Sequence, residues 1–242
     1  MTGRSRMHHL KRWLGIGVVA LALAVVGGPF IYIHFVEGKA PAPLTLSPSP
    51  SSSDQAQTPT PSQSNGDTGA TSGTWNVATG SIVGYRVREV LLGQSNTAVG
   101  RTSSITGSMT VRGTTITAAT FTVDMTTVTS DQSRRDGQFN GRIMDTATYP
   151  TATFTLTEPI KLGSVPAQGG QRTFQATGDL TLHGVTKPVT FQVTGRYTGS
   201  TAQILGSIPI TFADWNIPNP SFGPVTTEDH GVLEFSLNLA HA

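Results

Sequence analysis

Residues Gly178 to Val193 read GDLTLHGVTKPVTFQV. Within them Leu180 and Leu182 alternate with Asp179 and Thr181, and Val189, Phe191 and Val193 alternate with Thr190 and Gln192. Side chains that repeat every second residue fall on one face of an extended chain, so this stretch contains two half-buried strands. His183 to Lys187, which includes Gly184, reads as the short loop between them. Pro188 has no N–H to give a ladder and is expected to open the second strand, with the turn ending just before it. The stretch is a β-hairpin with one apolar face.

The same period extends on either side. Trp75 and Val77 begin it; then come Val83, Tyr85 and Val87, then Ile105, Met109 and Val111, then Phe121, Val123 and Met125. After the hairpin, Ile204, Ile208, Ile210 and Phe212 form one further strand and Leu233, Phe235, Leu237 and Leu239 the last. Ala152, Phe154 and Leu156 precede Phe174 and Ala176, which run into the hairpin. Short alternating segments broken by Gly, Asn and Asp mark an all-β sandwich or barrel. Only Ser130 to Ile143 (SDQSRRDGQFNGRI) loses the period; Ser130 or Asp131 is placed to cap a short helix with Phe139 and Ile143 on one face. An antiparallel sheet of about eight strands can close on itself, either filled by its own side chains or hollow enough for one slender ligand. Periodicity does not separate the two.

The folded part is expected over residues 74–242. Before it, residues 1–12 are basic, and residues 13–36 are apolar apart from Tyr32 and His34. As a helix that run reaches about 36 Å, enough to cross a bilayer as an uncleaved signal-anchor. A cleaved signal peptide is the rival, although its apolar region would be shorter. The preceding basic residues put the amino terminus in the cytoplasm and the remainder outside. Residues 37–73 are rich in Pro, Ser and Thr and nearly free of large apolar residues, which predicts a disordered linker. Its composition also permits O-glycosylation.

Composition excludes several functions. Cysteine is absent, so no disulfide, thiolate metal site or Cys nucleophile is available. From Thr74 onward eleven Lys and Arg balance eleven Asp and Glu, which removes the basic footprint of a nucleic-acid binder. Glu228, Asp229 and His230 are adjacent and would point to opposite faces of a strand, so they read as a solvated loop and no metal site is expected. No G-x-S-x-G elbow or phosphate-binding loop occurs. Asp131 and Asp136 flank Arg134 and Arg135; guanidinium neighbours keep carboxylates ionised, which suits a salt-bridge and capping group better than a general acid. His183 is a polar turn residue. No catalytic residues and no cofactor are assigned, and a hydrolase is a distant third reading.

With these residues laid out, the domain resembles the YceI-like family of periplasmic lipid-binding proteins. Three elements carry the resemblance: the hairpin motif itself, the Arg135-Asp136 to Tyr149-Pro150 to Phe154 element, and the final TEDHGVLEFSLNLAHA. Gln138, Ile143 and Met144 depart from the family pattern, which usually has a His and a Phe pair there. The resemblance implies an extended eight-stranded antiparallel, lipocalin-like barrel that takes the chain of a polyisoprenoid quinone or polyprenyl phosphate into its interior, for transport or storage, without catalysis.

The expected apolar wall is Phe121, Val123, Phe154, Leu180, Leu182, Phe191, Val193, Ile210, Phe212, Phe235 and Leu237, with Trp215 and Phe222 of ADWNIPNPSFGP as a candidate flap over the mouth. The partners expected are an isoprenoid or other long-chain lipid and the membrane through the amino-terminal helix, with no nucleic acid; a dimer is one option for the assembly. The location expected is the bacterial cell membrane, single-pass, with the β domain extracytoplasmic. The alternative is a filled β-domain that displays a surface to envelope partners without a ligand.

Overall fold

The computed structural model of the chain describes residues 40–46, 71–91, 93–164 and 167–242. The basic tail, the expected membrane helix over residues 13–36 and most of the linker lie outside these residues. Among the described residues no helix is long and apolar enough to cross a membrane.

Among the described residues thirteen strands follow one another: β1 (Gly73–Val77), β2 (Ile82–Leu91), β3 (Gln94–Thr102), β4 (Ile105–Arg112), β5 (Thr115–Asp124), β6 (Thr129–Ser130), β7 (Thr151–Leu156), β8 (Ile160–Lys161), β9 (Gln171–Leu182), β10 (Val185–Tyr197), β11 (Thr201–Thr211), β12 (Val225–Thr227) and β13 (His230–His241). They make a closed antiparallel barrel of eight staves, because β1 and β2 share one stave and β3 and β4 another. Closure comes from β13, which pairs β11 along its length, β2 through Val232–Ser236 and β1 through Leu239–His241. The break between β1 and β2 is filled by Ser81, 2 % exposed. Its hydroxyl donates to the Ala78 carbonyl at 2.8 Å and accepts from the Asn238 amide at 3.0 Å, so the interrupted ladder keeps its hydrogen bonds.

Sequence periodicity does not reveal β3. Its inward positions are Ala98, Gly100 and Thr102, set by the register from Val83 opposite Thr102 to Leu91 opposite Gln94. Small side chains there leave no apolar alternation to detect, and pairing with β2 alone makes it a strand.

The β9–β10 hairpin is tighter than its sequence suggests. The turn is only His183-Gly184, with φ of 50° and 75°, the backbone of a two-residue type I′ connection. Pro188 therefore lies inside β10, opposite Asp179. Counting rungs from Leu182–Val185 puts it at a non-hydrogen-bonded position facing away from β9, and the β10–β11 ladder begins only at Val193. No donor is missed. His183, a non-glycine residue at positive φ, costs about 1 kcal/mol. The turn is held by the Tyr149 ring, 4.6 Å from the imidazole, and by the Trp215 carbonyl, 3.2 Å from His183 Nδ1. A Cβ on Gly184 would meet Tyr149 Cε1 at 2.5 Å, so the two sequence motifs pack as one unit. Outside, Thr173–Thr194, Thr177–Thr190 and Thr181–Thr186 form a ladder of hydroxyl contacts across the hairpin.

The helical segment is shorter than Ser130 to Ile143. Helix α1 spans Ser133–Gln138 and passes into a π-turn at Phe139–Ile143. Ser130 belongs to β6 and caps nothing; instead the Asp136 carboxylate reaches back to its amide at 2.8 Å and its hydroxyl at 2.6 Å. The helix N-cap is Gln132, without a side-chain bond. Phe212 and Met125, expected on strands, begin one-turn 3-10 helices.

One end of the barrel is plugged. Trp75, Met109, Val111, Ala119 and Leu239 form a separate buried cluster there, with Leu239 0 % exposed and Tyr197 and His241 edge-on to the Trp75 ring. The main core lies above it and carries the interior described below.

Part of the expected linker docks. On the outer wall Glu234 accepts from Arg101 Nε at 3.0 Å and Nη2 at 2.7 Å, and from Arg86 Nε at 3.4 Å. The same guanidiniums donate to the carbonyls of Pro41 at 2.7 Å and Ala42 at 2.5 Å, and the Leu44 amide donates to Glu234. Apolar composition gave this stretch no reason to order, but its backbone supplies the bonds.

Two outcomes follow from this packing. Gly206→Ala places a methyl against the Phe235 ring and is expected to destabilise the barrel by about 1–3 kcal/mol, read as a lower urea midpoint with unchanged slope. Glu234→Gln weakens the charge-assisted bonds and is expected to cost about 2 kcal/mol and to speed proteolysis within residues 40–46; equal cleavage rates in the two proteins would show that the clamp does not hold the segment.

Candidate functional site

The inward faces of the strands enclose two chambers stacked along the barrel axis. The outer one is about 390 Å³ and the inner one about 110 Å³. Val83, Val123, Ala152 and Leu233 line both, so they form the junction. The inner chamber ends on Met109 and Ala119 of the Trp75 plug, and its lining is apolar except for Thr153. The outer chamber is bounded by α1 and its π-turn on one side and by the excursion after β11 on the other.

The space exists because of where the large rings lie. Tyr85 faces Gly100 across β2–β3, Phe121 faces Gly107 across β4–β5, and Phe235 faces Gly206 across β11–β13. Phe154 of β7 lies on Gly178 of β9. A Cβ at Gly178 would sit 2.5 Å from the Phe154 ring and one at Gly107 2.9 Å from that of Phe121; at Gly100 and Gly206 the overlap would be closer still. The rings use the room that missing side chains leave and press against the wall.

All the expected wall residues face this interior. Leu182, Ile210 and Phe212 line the outer chamber; Phe121, Phe154, Leu180, Phe191, Val193, Phe235 and Leu237 line the inner one; Val123 lines both. The two flap residues separate. Phe222, 50 % exposed, stands at the outer chamber with Pro220 and Pro224. Arg142 ties it to the π-turn, donating to the Asn219 and Pro220 carbonyls at 3.1 and 2.9 Å while its guanidinium lies 5.7 Å from the Phe222 ring centroid. Trp215 is buried, is not part of either chamber lining, and packs by the hairpin with Lys187 5.8 Å from its ring.

Polar groups gather at the outer end: Glu89, Gln132, Arg134, Arg135, Gln138 and Thr227 join the lining there. Glu89 continues the inward series Val83, Tyr85, Val87 of β2, and that inward carboxylate is the signal in the sequence that marks a polar mouth. It accepts from Asn96 Nδ2 at 2.9 Å and from Arg135 Nη2 at 3.2 Å, and Arg135 also pairs with Asp131. Burial works against the Arg135 charge, but Glu89 and Asp131 outweigh it and raise the pKa. The Tyr85 hydroxyl is pushed up by burial, with Arg135 opposing, so the ring remains neutral, stacked 5.1 Å from Phe139. The Glu89 carboxylate, shared between two donors, and the neutral Tyr85 phenol thus sit at the rim as hydrogen-bonding groups.

Glu228, Asp229 and His230 lie in an exposed loop and at the start of β13. The imidazole stands between Asp229 at 2.7 Å and Glu228 at 3.3 Å; its pKa is raised and that of Asp229 lowered, chiefly by the hydrogen bond between them.

The geometry has counterparts among known proteins. A UPF0312 protein of Vibrio parahaemolyticus is 34 % identical over 103 residues, 40 % of this chain and 51 % of that protein. Protein YceI of Escherichia coli O157:H7 is 42 % identical over 72 residues, 29 % of this chain and 34 % of that one. The chain thus spans about half the length, or less, of these curated relatives. Among solved structures, a polyisoprenoid binding domain from Saccharophagus degradans superposes with a TM-score of 0.57 at 19 % identity, covering 70 % of this chain and 99 % of that domain, and so shares the fold. The sequence profile of the YceI-like domain matches residues 75–239, from the first strand of the barrel to the last. The chain belongs to the YceI-like domain family.

Proposed function

We propose that the barrel is a binding protein, not an enzyme, which holds a single long-chain amphiphile with its tail in the two chambers and its head at the outer end. The observation that carries this reading is the segregation within one lumen: an apolar inner end, and an outer end where Glu89, Gln132, Arg134, Arg135 and Gln138 collect. A volume of about 390 Å³ lies within the range of roughly 300–1,000 Å³ for small-molecule sites. Each buried methylene contributes about 0.8 kcal/mol, so a long tail binds well with few polar contacts. A polyisoprenoid quinone or polyprenyl phosphate fits this pattern, and the related fold from Saccharophagus degradans is described as a polyisoprenoid binding domain. Two chambers in series weigh against the alternative of a solid β-domain acting only as an interaction surface.

In this reading residues 13–36 anchor the protein in the cell membrane and residues 37–73 connect the anchor to an extracytoplasmic barrel. The support is the length of the apolar run and the basic residues before it. Protease added to intact spheroplasts is expected to degrade the barrel; full protection would place it on the cytoplasmic side.

The ligand itself is testable in the full chain. Native mass spectra of protein gently extracted from its own membranes are expected to show one lipid per chain; bare protein throughout would overturn the reading. Ala152→Phe, at the junction of the chambers, is expected to reduce affinity for a polyprenyl lipid at least tenfold, ~1.4 kcal/mol, while the circular dichroism of the barrel is retained.

A further inference from the structure

The four rings that lie on glycines leave one aromatic side chain of the inner chamber unaccounted for. Phe191, on β10, faces Ala176 across the hairpin, so no glycine opposite it offers a recess. It is 8 % exposed and lines the inner chamber but not the outer one. Its ring meets Phe154 edge-on at 5.4 Å and 71°, and Phe235 edge-on at 5.9 Å and 85°. Those two partners are the rings pressed against Gly178 and Gly206, so they cannot retreat further into the wall. The three rings therefore differ in role: Phe154 and Phe235 are backed by strand, and Phe191 stands between them.

A tail that enters through the outer chamber passes Val83, Val123, Ala152 and Leu233 and then reaches a space of only about 110 Å³, which Phe191 lines between Phe154 and Phe235. This chamber is the smaller of the two, about 110 Å³ against about 390 Å³, and it closes on Met109 and Ala119 of the plug. A longer tail presses on the rings, and of the four in this chamber only Phe191 is not seated on a glycine. Close-packed interiors resist such displacement, which turns a small volume difference into discrimination between chain lengths.

We propose that Phe191 is the specificity-determining residue for tail length, the ring that a longer isoprenoid chain must displace to reach the closed end at Met109 and Ala119. The proposal rests on the reading of the lumen as an amphiphile site, and it adds which residue sets how much chain that site accepts. A second consequence is directional. Enlarging the side chain at 191 shortens the accepted tail and truncating it lengthens it, whereas changes at the polar mouth shift affinity for all lengths together.

The test offers the full chain, reconstituted in mild detergent, an equimolar ladder of polyprenols from geraniol upward, and reads the bound species by native mass spectrometry. Wild-type protein is expected to retain lengths up to a cutoff. Phe191→Ala is expected to raise that cutoff by at least one isoprene unit and Phe191→Trp to lower it. Phe191→Leu, which keeps most of the core volume, gives a smaller rise and serves where the alanine variant melts too low for the measurement. An unchanged length profile across folded variants, with wild-type binding intact, overturns the role of Phe191 and leaves the amphiphile site standing. Retention of no polyprenol by wild type overturns both.

Discussion

An eight-stave barrel encloses a space just wide enough for side chains to fill, so its interior is decided by where its largest side chains lie. Here aromatic rings lie against glycines of neighbouring strands: Tyr85 on Gly100, Phe121 on Gly107, Phe154 on Gly178 and Phe235 on Gly206. Each pairing does two things. It covers backbone that a glycine would otherwise leave exposed on the inner face, and it removes a ring's width from the lumen's contents. Closure of the sheet through β13 supplies the constraint that makes this work, because strands paired on both sides cannot splay to admit a misplaced ring.

Charge is arranged with the same economy. Glu89, an inward carboxylate, is held by Asn96 and Arg135 at the end of the lumen that α1 and the Phe222 excursion cover. Glu234, an outward carboxylate, is 5 % exposed because two arginines and the segment around Leu44 cover it. A buried carboxylate whose partners are removed is costly, typically by about 3–5 kcal/mol, so both clusters fix the geometry around them more than they add net stability. The first orients the rim of the cavity. The second orients what lies before the barrel.

Much of this was legible in the sequence, and the reasons for success and failure are specific. Alternation identified the strands that bury Leu, Ile, Val or Phe, and placed all eleven wall residues on the lumen side. It missed β3, whose lumen-facing Ala98, Gly100 and Thr102 carry too little apolar contrast. It could not distinguish hollow from filled, since that depends on which glycine stands opposite which ring, a matter of the register between paired strands, which alternation does not give. A proline rule alone starts β10 at Pro188 and so lengthens the hairpin turn; the actual register hides proline at a position needing no donor. Nearness in an aromatic loop groups Trp215 with Phe222, whereas the one-turn helix at Phe212–Trp215 buries the tryptophan before the chain turns out to Phe222. The ion pair of Arg135 with Asp131 agrees with the expected salt-bridge group, while its bond to Glu89 joins residues 46 positions apart and left no local trace.

The contacts of residues 40–46 also bear on how force would reach the barrel. Tension applied from the amino-terminal side arrives at Pro41, Ala42 and Leu44 before it can reach β1 at Gly73. At that point it meets guanidinium–carbonyl bonds spread over neighbouring staves, β2, β3 and β13, through Arg86, Arg101 and Glu234. Pulling is thus shared across three strands and loads their bonds together, instead of peeling β1 from its neighbours one rung at a time. The clamp acts as a strain relief for β1.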